Sequence, residues 1–370
     1  MRRALVLLVA AAPLAAQEPA VGVGTAVRTG AVFDGYYFGS GFAFRHVVEW
    51  TMPVTVFERV GSRLTVDLSS AYAHVSGATT SGLLQISGLT DTDVRASFAA
   101  VPGHLVLTVA GTLPTGKKAV SDSTIPLLSA LATELLDFTT PSFGSGGGVT
   151  GGFAGAVRLG ERWAGGLGAS YRWHASYTPV AGTGQLEPGG EARVRLGAEG
   201  PLAGGGYFRG ALVYTASGAD TLGGGSRSIT GDRILVYSAL SFPAGRSSVS
   251  VYGYDMHRFR PRAYNSTNAN AVQVPRGNVF ALGARLERPL SPAVNLAPNF
   301  EFRHELAGPS TGSLELLGWL VRPGVDVRYH VSGAVALLLE GQTAFGRLAD
   351  NGSSVSLVGP RVVALLEWSR

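Results

Sequence analysis

Apolar and polar residues change places at nearly every step along most of this chain. In FAFRHVVEWTMPVTVF, one register carries Phe42, Phe44, Val48, Trp50, Met52, Val54 and Val56, and the other carries Arg45, Glu49, Thr51 and Thr55. RLTVDLSSAYAH sets Leu64, Val66, Leu68 and Tyr72 against Arg63, Thr65, Asp67 and Ser69. WAGGLGASYRWHASY puts Trp163, Leu167, Ala169, Tyr171, Trp173 and Tyr177 on one side, and Gly166, Gly168, Ser170, Arg172, His174 and Ser176 on the other. A period of two is the signature of a strand whose faces meet different surroundings. Near the end, Val294, Leu296, Phe300 and Phe302 oppose Asn295, Asn299, Glu301, Arg303 and Glu305, and Val362, Ala364, Leu366 and Trp368 share one face of the last segment.

The connections alternate as well. Short turns are predicted at ERVGS, Pro102-Gly103, Gly160-Glu161-Arg162, Gly200-Pro201, Pro243-Ala244-Gly245, Pro289 to Pro292 and His330. Longer polar loops fall between them, at 76–90, 115–145, 178–188, 218–230, 260–276, 307–313 and 346–354. One end trimmed and the other elaborated is the asymmetry of an outer-membrane barrel, where the charged register faces the lumen and the apolar register faces lipid. The fold class expected is therefore all-β, a transmembrane antiparallel up-and-down barrel of about sixteen strands with both termini on the short-turn side. The first strand, before the Gly/Tyr-rich stretch DGYYFGS, is short. If residues 17–40 fold into the lumen instead, fourteen strands and an N-terminal plug result.

One segment breaks the rhythm. HLVLTVAGTLPTGKK alternates up to Pro114, and then in SDSTIPLLSALATELLDF the residues Leu127, Leu128, Leu131, Leu135 and Phe138 recur at helical spacing. Ser123 or Thr124 can cap such a helix and Pro126 suits its first turn. Glycine-rich SFGSGGGVTGGFAGAVRLG then restarts the alternation. The helix is expected in the external loop 115–145, at the mouth of the barrel. It reads either as a lid packed on the rim or as an apolar surface that captures cargo through those five residues.

Composition sharpens this picture. Hydrophobic residues make up 45% of the 370, charged residues 15%, and glycine is abundant at 52. Yet after the N-terminus no apolar run reaches the length of a spanning helix. Met1-Arg2-Arg3, the apolar stretch Ala4 to Leu14 and the small residues Ala15-Ala16 read as a secretory signal peptide over 1–16, with a single barrel domain over 17–370. The formal net charge is +5, two units of which belong to Arg2 and Arg3. The remaining excess is too small and scattered for a nucleic-acid partner. With no cysteine there is neither a disulfide frame nor a cysteine-ligated metal.

The inward register supplies charges of both signs: Arg45, Glu49, Arg63, Asp67, Arg172, His174, Arg193, Arg195, Glu301, Arg303, Glu340 and Arg361 are expected to line the lumen. They form either a wetted constriction or a salt-bridged network filling the interior. Catalysis has little support, since the histidines have no HExxH spacing and no GxSxG occurs. The glycine-rich runs lack the lysine and following helix of a phosphate loop. No enzyme, metal or cofactor is expected.

The order of LTVAGTLPTGKK, an apolar helical loop and SFGSGGG opening the next strand resembles the outer-membrane transporters of hydrophobic compounds. These are the long-chain fatty acid and aromatic-hydrocarbon channel superfamily, including the phenol-degradation-associated barrels. The resemblance implies passive uptake of small hydrophobic or amphipathic molecules in an outer membrane. Its partners would be membrane lipid, apolar solutes and, through the C-terminal strand, the barrel-assembly machinery. The fatty acid members carry a sizeable luminal plug before the barrel, for which this chain has few residues. A structural or adhesion barrel without transport and, less strongly, a barrel-embedded hydrolase are the alternatives.

Overall fold

A computed structural model describes residues 24–223, 225–227, 231–259, 276–308, 314–350 and 353–370. The expected signal peptide lies outside them. The elements in order are β1 (Thr25–Phe38), β2 (Phe44–Val60), β3 (Leu64–Thr79), β4 (Leu83–Leu89), β5 (Thr92–Val101), β6 (Leu105–Leu113), α1 (Ile125–Leu131), β7 (Gly148–Leu159), β8 (Trp163–His174), β9 (Leu186–Glu187), β10 (Glu191–Pro201), β11 (Tyr207–Ser217), β12 (Asp220–Leu222), β13 (Gly225–Arg227), β14 (Arg233–Ala244), β15 (Ser247–Arg258), β16 (Arg276–Pro289), β17 (Val294–Gly308), β18 (Glu315–His330), β19 (Val335–Asp350) and β20 (Ser353–Ser369). Each long strand pairs antiparallel with its neighbours in sequence. β1 pairs with β20 as well as with β2, from Ala26↔Ser369 to Phe38↔Leu357. The sheet is thereby a closed barrel of 16 strands, in which β4 and β5 together make one strand. The short strands β9, β12 and β13 form a separate sheet within the long loops.

Closure decides what each register meets. Trp50, Met52, Val109, Phe153, Leu167, Trp173, Val236, Phe300, Phe345 and Val362 stand exposed on the outer surface. Their partners in the alternation point inward and pair by charge: Arg95 with Asp67 at 2.9 Å, Arg209 with Glu199 at 3.1 Å, Arg328 with Glu367 at 2.5 Å. A wide apolar exterior around a closed backbone ladder is stable in hydrocarbon, where no water could satisfy a free edge. No helix among the described residues is long and apolar enough to cross a membrane.

Three sequence expectations change. DGYYF is not a loop: β1 runs through to Phe38, with Asp34 and Tyr36 buried on its inner face, so residues 25–38 complete the sixteenth strand instead of a plug. Phe44, placed on the lipid register by simple alternation, is inward and buried. The pairing shifts between Phe44 and His46, and the bulge left at Arg45 reverses the faces on either side of it. The expected loops 76–90 and 346–354 are largely strand: β3 runs to Thr79, β4 spans Leu83–Leu89, β19 reaches Asp350 and β20 starts at Ser353, because the polar residues of LLQISGL and GRLAD sit within strands that continue past them.

Substitution of Val109, exposed at the centre of β6, by Arg is expected to destabilise the barrel by about 2–4 kcal/mol, the cost of a cation near the bilayer midplane. Thr108→Arg, one residue away on the inner face, should cost far less. Equilibrium unfolding in phospholipid vesicles measures both, and equal losses would contradict the assignment of faces.

Candidate functional site

The segment 114–147, between β6 and β7, does not stay at the mouth. It enters from the long-loop end and turns down inside the barrel. Its two ends are clipped by one carboxylate: Asp91 Oδ1 accepts the Gly116 amide at 3.0 Å, and Asp91 Oδ2 accepts the Ser145 amide at 2.6 Å and the Ser145 hydroxyl at 3.1 Å. Asp91 is free to do this because it sits in the break between β4 and β5, where Thr90, Asp91 and Thr92 face only Ser70 and Ala71 of β3. Lys117 adds a bond from Nζ to the Ser87 carbonyl at 3.0 Å.

Inside, the apolar side of the loop packs on the barrel's inner wall. Leu127, Leu131, Leu135, Leu136, Phe138 and Phe143 form one buried cluster with Tyr36, Phe44, Val47, Val75, Ile86, Leu320, Leu348 and Leu357. Two strand glycines provide the space. A methyl group at Gly77 would lie 2.7 Å from Leu127 Cδ1, and one at Gly318 would lie 2.6 Å from Leu135 Cδ2. Contacts that short do not occur, so each leucine is seated where the wall has no side chain. The solitary glycines in strands were the signal in the sequence for this docking.

Beyond Leu131 the helix stops short of the run up to Phe138 that the leucine spacing predicts. The wall competes for the backbone. Arg303 Nη1 donates to the Glu134 carbonyl at 2.8 Å, the Leu135 amide donates to Glu305 at 2.9 Å, and the Leu136 carbonyl accepts from the Tyr36 hydroxyl at 2.5 Å and Arg322 Nη2 at 3.1 Å. Asp137 takes a left-handed conformation, φ 56°. Aspartate tolerates this better than most residues. Its carboxylate accepts from Arg303 Nη2 at 3.1 Å and Arg322 Nη1 at 3.3 Å, while its carbonyl accepts from Arg361 Nη1 at 3.4 Å. Arg361 also holds Asp34 at 2.9 Å, and Asp34 accepts the Thr139 hydroxyl at 2.6 Å. Thr140 and Thr51 share a hydrogen bond at 3.1 Å, and the Thr51 hydroxyl donates to the fully buried Glu49.

Burial alone would push the Asp137 carboxyl up, but the guanidiniums of Arg303, Arg322 and Arg361 outweigh it and hold Asp137 below the usual aspartate range. Paired in this way, the three buried arginines escape the several-kcal/mol penalty of an isolated buried ion.

The structure thus distributes the expected site residues unevenly. Leu127, Leu131, Leu135 and Phe138 are buried and Leu128 is half-buried, so the apolar area they would offer a ligand is covered by the wall. Arg303 pairs with Glu301 at 2.7 Å and Arg361 with Glu340 at 3.2 Å, both beside the loop, and Glu49 lies beneath it. Asp67 joins Arg95 nearer the short-turn end. Arg172, His174, Arg193 and Arg195 are half-buried on β8 and β10, across the lumen. Arg45 is the bulge residue and Arg63 lies exposed in the turn after β2; neither joins the luminal network. Asp34, Tyr36, Asp137 and Arg322 were missed. Asp34 and Tyr36 sit in a Gly/Tyr-rich stretch that reads as a loop, and Arg322 precedes Pro323-Gly324, which interrupts the alternation.

No protein-family model matches the chain, and no curated protein matches it. Solved structures with some likeness include a bacterial polysaccharide outer membrane secretin, at TM-score 0.47 and 8% identity over 95% of this chain and 99% of that one. OpdQ of Pseudomonas aeruginosa gives TM-score 0.45 and 11% identity over 94% of this chain and 97% of that one. The CymD monoaromatic hydrocarbon channel gives TM-score 0.42 and 10% identity over 94% of this chain and 89% of that one. At these values the likeness says nothing of what this barrel carries.

Two outcomes follow from the docking. Gly318→Val fills the seat of Leu135 and is expected to unseat the loop, making the Lys117-Lys118 site several-fold more sensitive to trypsin in the folded barrel; unchanged cleavage would contradict the seating. Asp137→Asn keeps tolerance of the left-handed conformation and removes only the charge. Because the folded pKa is depressed, the carboxylate's contribution is complete above the ordinary aspartate value of about 3.9 and is lost as pH falls through the lower folded value. The difference in trypsin-independent loop protection between wild type and D137N, read by amide hydrogen exchange, should therefore be constant from neutral pH down to about pH 4 and vanish below it. A difference that disappears well above that pH would contradict the ion pairing.

Proposed function

We propose that this protein is an outer-membrane channel for the passive uptake of small hydrophobic or amphipathic molecules. It would be exported by its N-terminal signal peptide, inserted through its C-terminal strand, and akin to the transporters of hydrophobic compounds that its loop sequence resembles. One observation carries the reading. The docked loop lies along one side of the lumen, from β17 round through β20 and β1 to β4, where its packing and its bonds to Arg303, Arg322, Arg361, Asp34 and Thr51 all fall. Towards the opposite wall, the Val120 backbone bonds Pro179 and Ala181 in the segment after β8, and Glu134 lies 3.9 Å from Arg258 Nη2.

That opposite wall has a mixed lining. Val213, Leu235 and Met256 are aligned in one cross-strand row, and Tyr237 and Tyr254 in the next, on the same inward register as Arg193, Arg195 and Arg209. A passage between the loop and this wall offers apolar contact and polar guidance together, which suits an amphipathic solute. In this reading Leu127, Leu131, Leu135 and Phe138 shape the constriction by fixing the loop, and Leu128, half-buried, is the loop leucine placed to meet cargo.

Replacing residues 118–143 with a short Gly-Ser linker is expected to raise single-channel conductance in planar bilayers about twofold or more, since a luminal obstruction is removed. Proteoliposomes of the intact protein should take up a labelled amphipathic solute faster than protein-free vesicles. Absence of any conductance or uptake, with or without the loop, would favour a structural barrel instead.

A further inference from the structure

The inner wall facing the docked loop carries a concentration of arginines, of which Arg258 meets the loop at Glu134, 3.9 Å away. Arg172 lies on β8; Arg193 and Arg195 on β10; Arg209 on β11; Arg233 on β14; Arg258 on β15. The register groups them closely. Arg193 is opposite Thr215, Thr215 opposite Arg233, and Arg233 opposite Arg258, so three arginines share one cross-strand row, while Arg172 sits diagonally above Arg193, opposite Glu191. The acidic side chains on these strands' inner faces are already committed: Glu191 to Arg233 at 2.9 Å and Glu199 to Arg209 at 3.1 Å. Among the described residues, the side chains of Arg172 and Arg193 have neither an ion pair nor a hydrogen bond, although both are half-buried; Arg193 lies near the Glu191 carboxylate and near the guanidiniums of Arg233 and Arg172. Elsewhere in the lumen Arg28, Arg303, Arg322, Arg328 and Arg361 each have a carboxylate.

Two adjacent, partly desolvated guanidiniums whose nearby carboxylate, Glu191, is bonded to Arg233 form an anion site, because charge-assisted and bidentate bonds to a carboxylate are the strongest they can make. The surroundings narrow the anion further. Thr215 lies beside Arg193, and Val213, Leu235 and Met256 line the next row, followed by Tyr237 and Tyr254. A ligand seated on the arginines meets aliphatic and aromatic surface directly below, which an inorganic anion could not exploit.

We infer that Arg172 and Arg193 form a binding site for the carboxylate of an amphipathic monoanion, whose apolar body lies along the Val213–Leu235–Met256 row and the tyrosines beneath it. This rests on the channel reading and names its solute class: organic acids in preference to neutral hydrocarbons. Arg195 and Arg209, lower on the same wall, provide the next cationic positions towards the short-turn end.

Binding can be separated from transport. Isothermal titration of the full barrel in non-ionic detergent with phenylacetate, phenylacetamide and inorganic phosphate reads the site directly. Phenylacetate is expected to bind at least about tenfold more tightly than either of the others, and the double variant Arg172→Gln/Arg193→Gln to weaken it about tenfold or more. Arg172→Lys/Arg193→Lys should recover part of the affinity, and heat-modifiable gel mobility confirms that each variant is folded. Equal affinity for the acid and the amide, phosphate binding as tight as phenylacetate, or a double glutamine variant that binds like wild type would each overturn the site. Bilayer conductance of the same preparations tests the channel reading by itself: binding without conductance leaves the site standing and removes the channel, whereas conductance without acid-selective binding does the reverse.

Discussion

Everything in this molecule depends on the pairing of the first strand with the last. Ala26 to Phe38 meet Ser369 to Leu357, and Arg370 and Thr25 exchange backbone bonds at the short-turn end, 2.9 Å and 3.2 Å. Without that seam two strand edges would face hydrocarbon with unsatisfied amides, which no arrangement of side chains could offset. With it, each strand is left with two unlike faces, and the alternation of the sequence becomes a division between lipid and lumen. Arg28 and Arg328 converge on Glu367 within this seam, at 2.5 Å each, so charge joins β1, β18 and β20 on the inside of the closure.

The lumen so formed is itself divided. The wall from β17 to β4 supplies glycine recesses, buried apolar residues and three arginines with their carboxylates, and the loop between β6 and β7 completes it as a second layer. Its leucines seat in the wall, and its backbone between Glu134 and Thr140 is held by side chains of five strands. The wall from β8 to β15 lacks such a partner. Among the described residues its inward arginines outnumber the inward carboxylates, and its tyrosines and aliphatic residues take no part in the buried cluster around the loop. The two halves thus differ in kind: one is a core built inside the barrel, the other a lining.

The sequence made the first division legible and the second only in part. Strand faces could be assigned because a one-residue period error would place Arg303 or Arg361 in lipid, so the pattern admits a single reading. It failed at Phe44 and within 76–90, where one extra residue, at Arg45 and at Thr90–Thr92, reverses the faces without any change in composition. The loop posed a different problem. Helical spacing of Leu127, Leu131 and Leu135 announces an apolar face that must be covered, but the covering surface is assembled from Phe44, Val75, Leu320 and Leu357, which come from four strands far apart in the chain. Gly77 and Gly318 marked the seats, yet single glycines among 52 carry no address. Arg172 and Arg193 were recognisable as inward residues; that they lack partners while their neighbours have them depends on cross-strand register, which alternation does not encode.

The central claim is that the loop lies inside the barrel against the wall of β1 and β2. The chain has no cysteine, so a pair introduced at Thr51 and Thr140, whose hydroxyls are 3.1 Å apart, would be the sole thiols present. Mild oxidation of the folded T51C/T140C barrel is predicted to join them in an intramolecular disulfide that shifts its denatured gel mobility and blocks thiol labelling. Two thiols that stay free and label independently in the folded barrel would contradict the account.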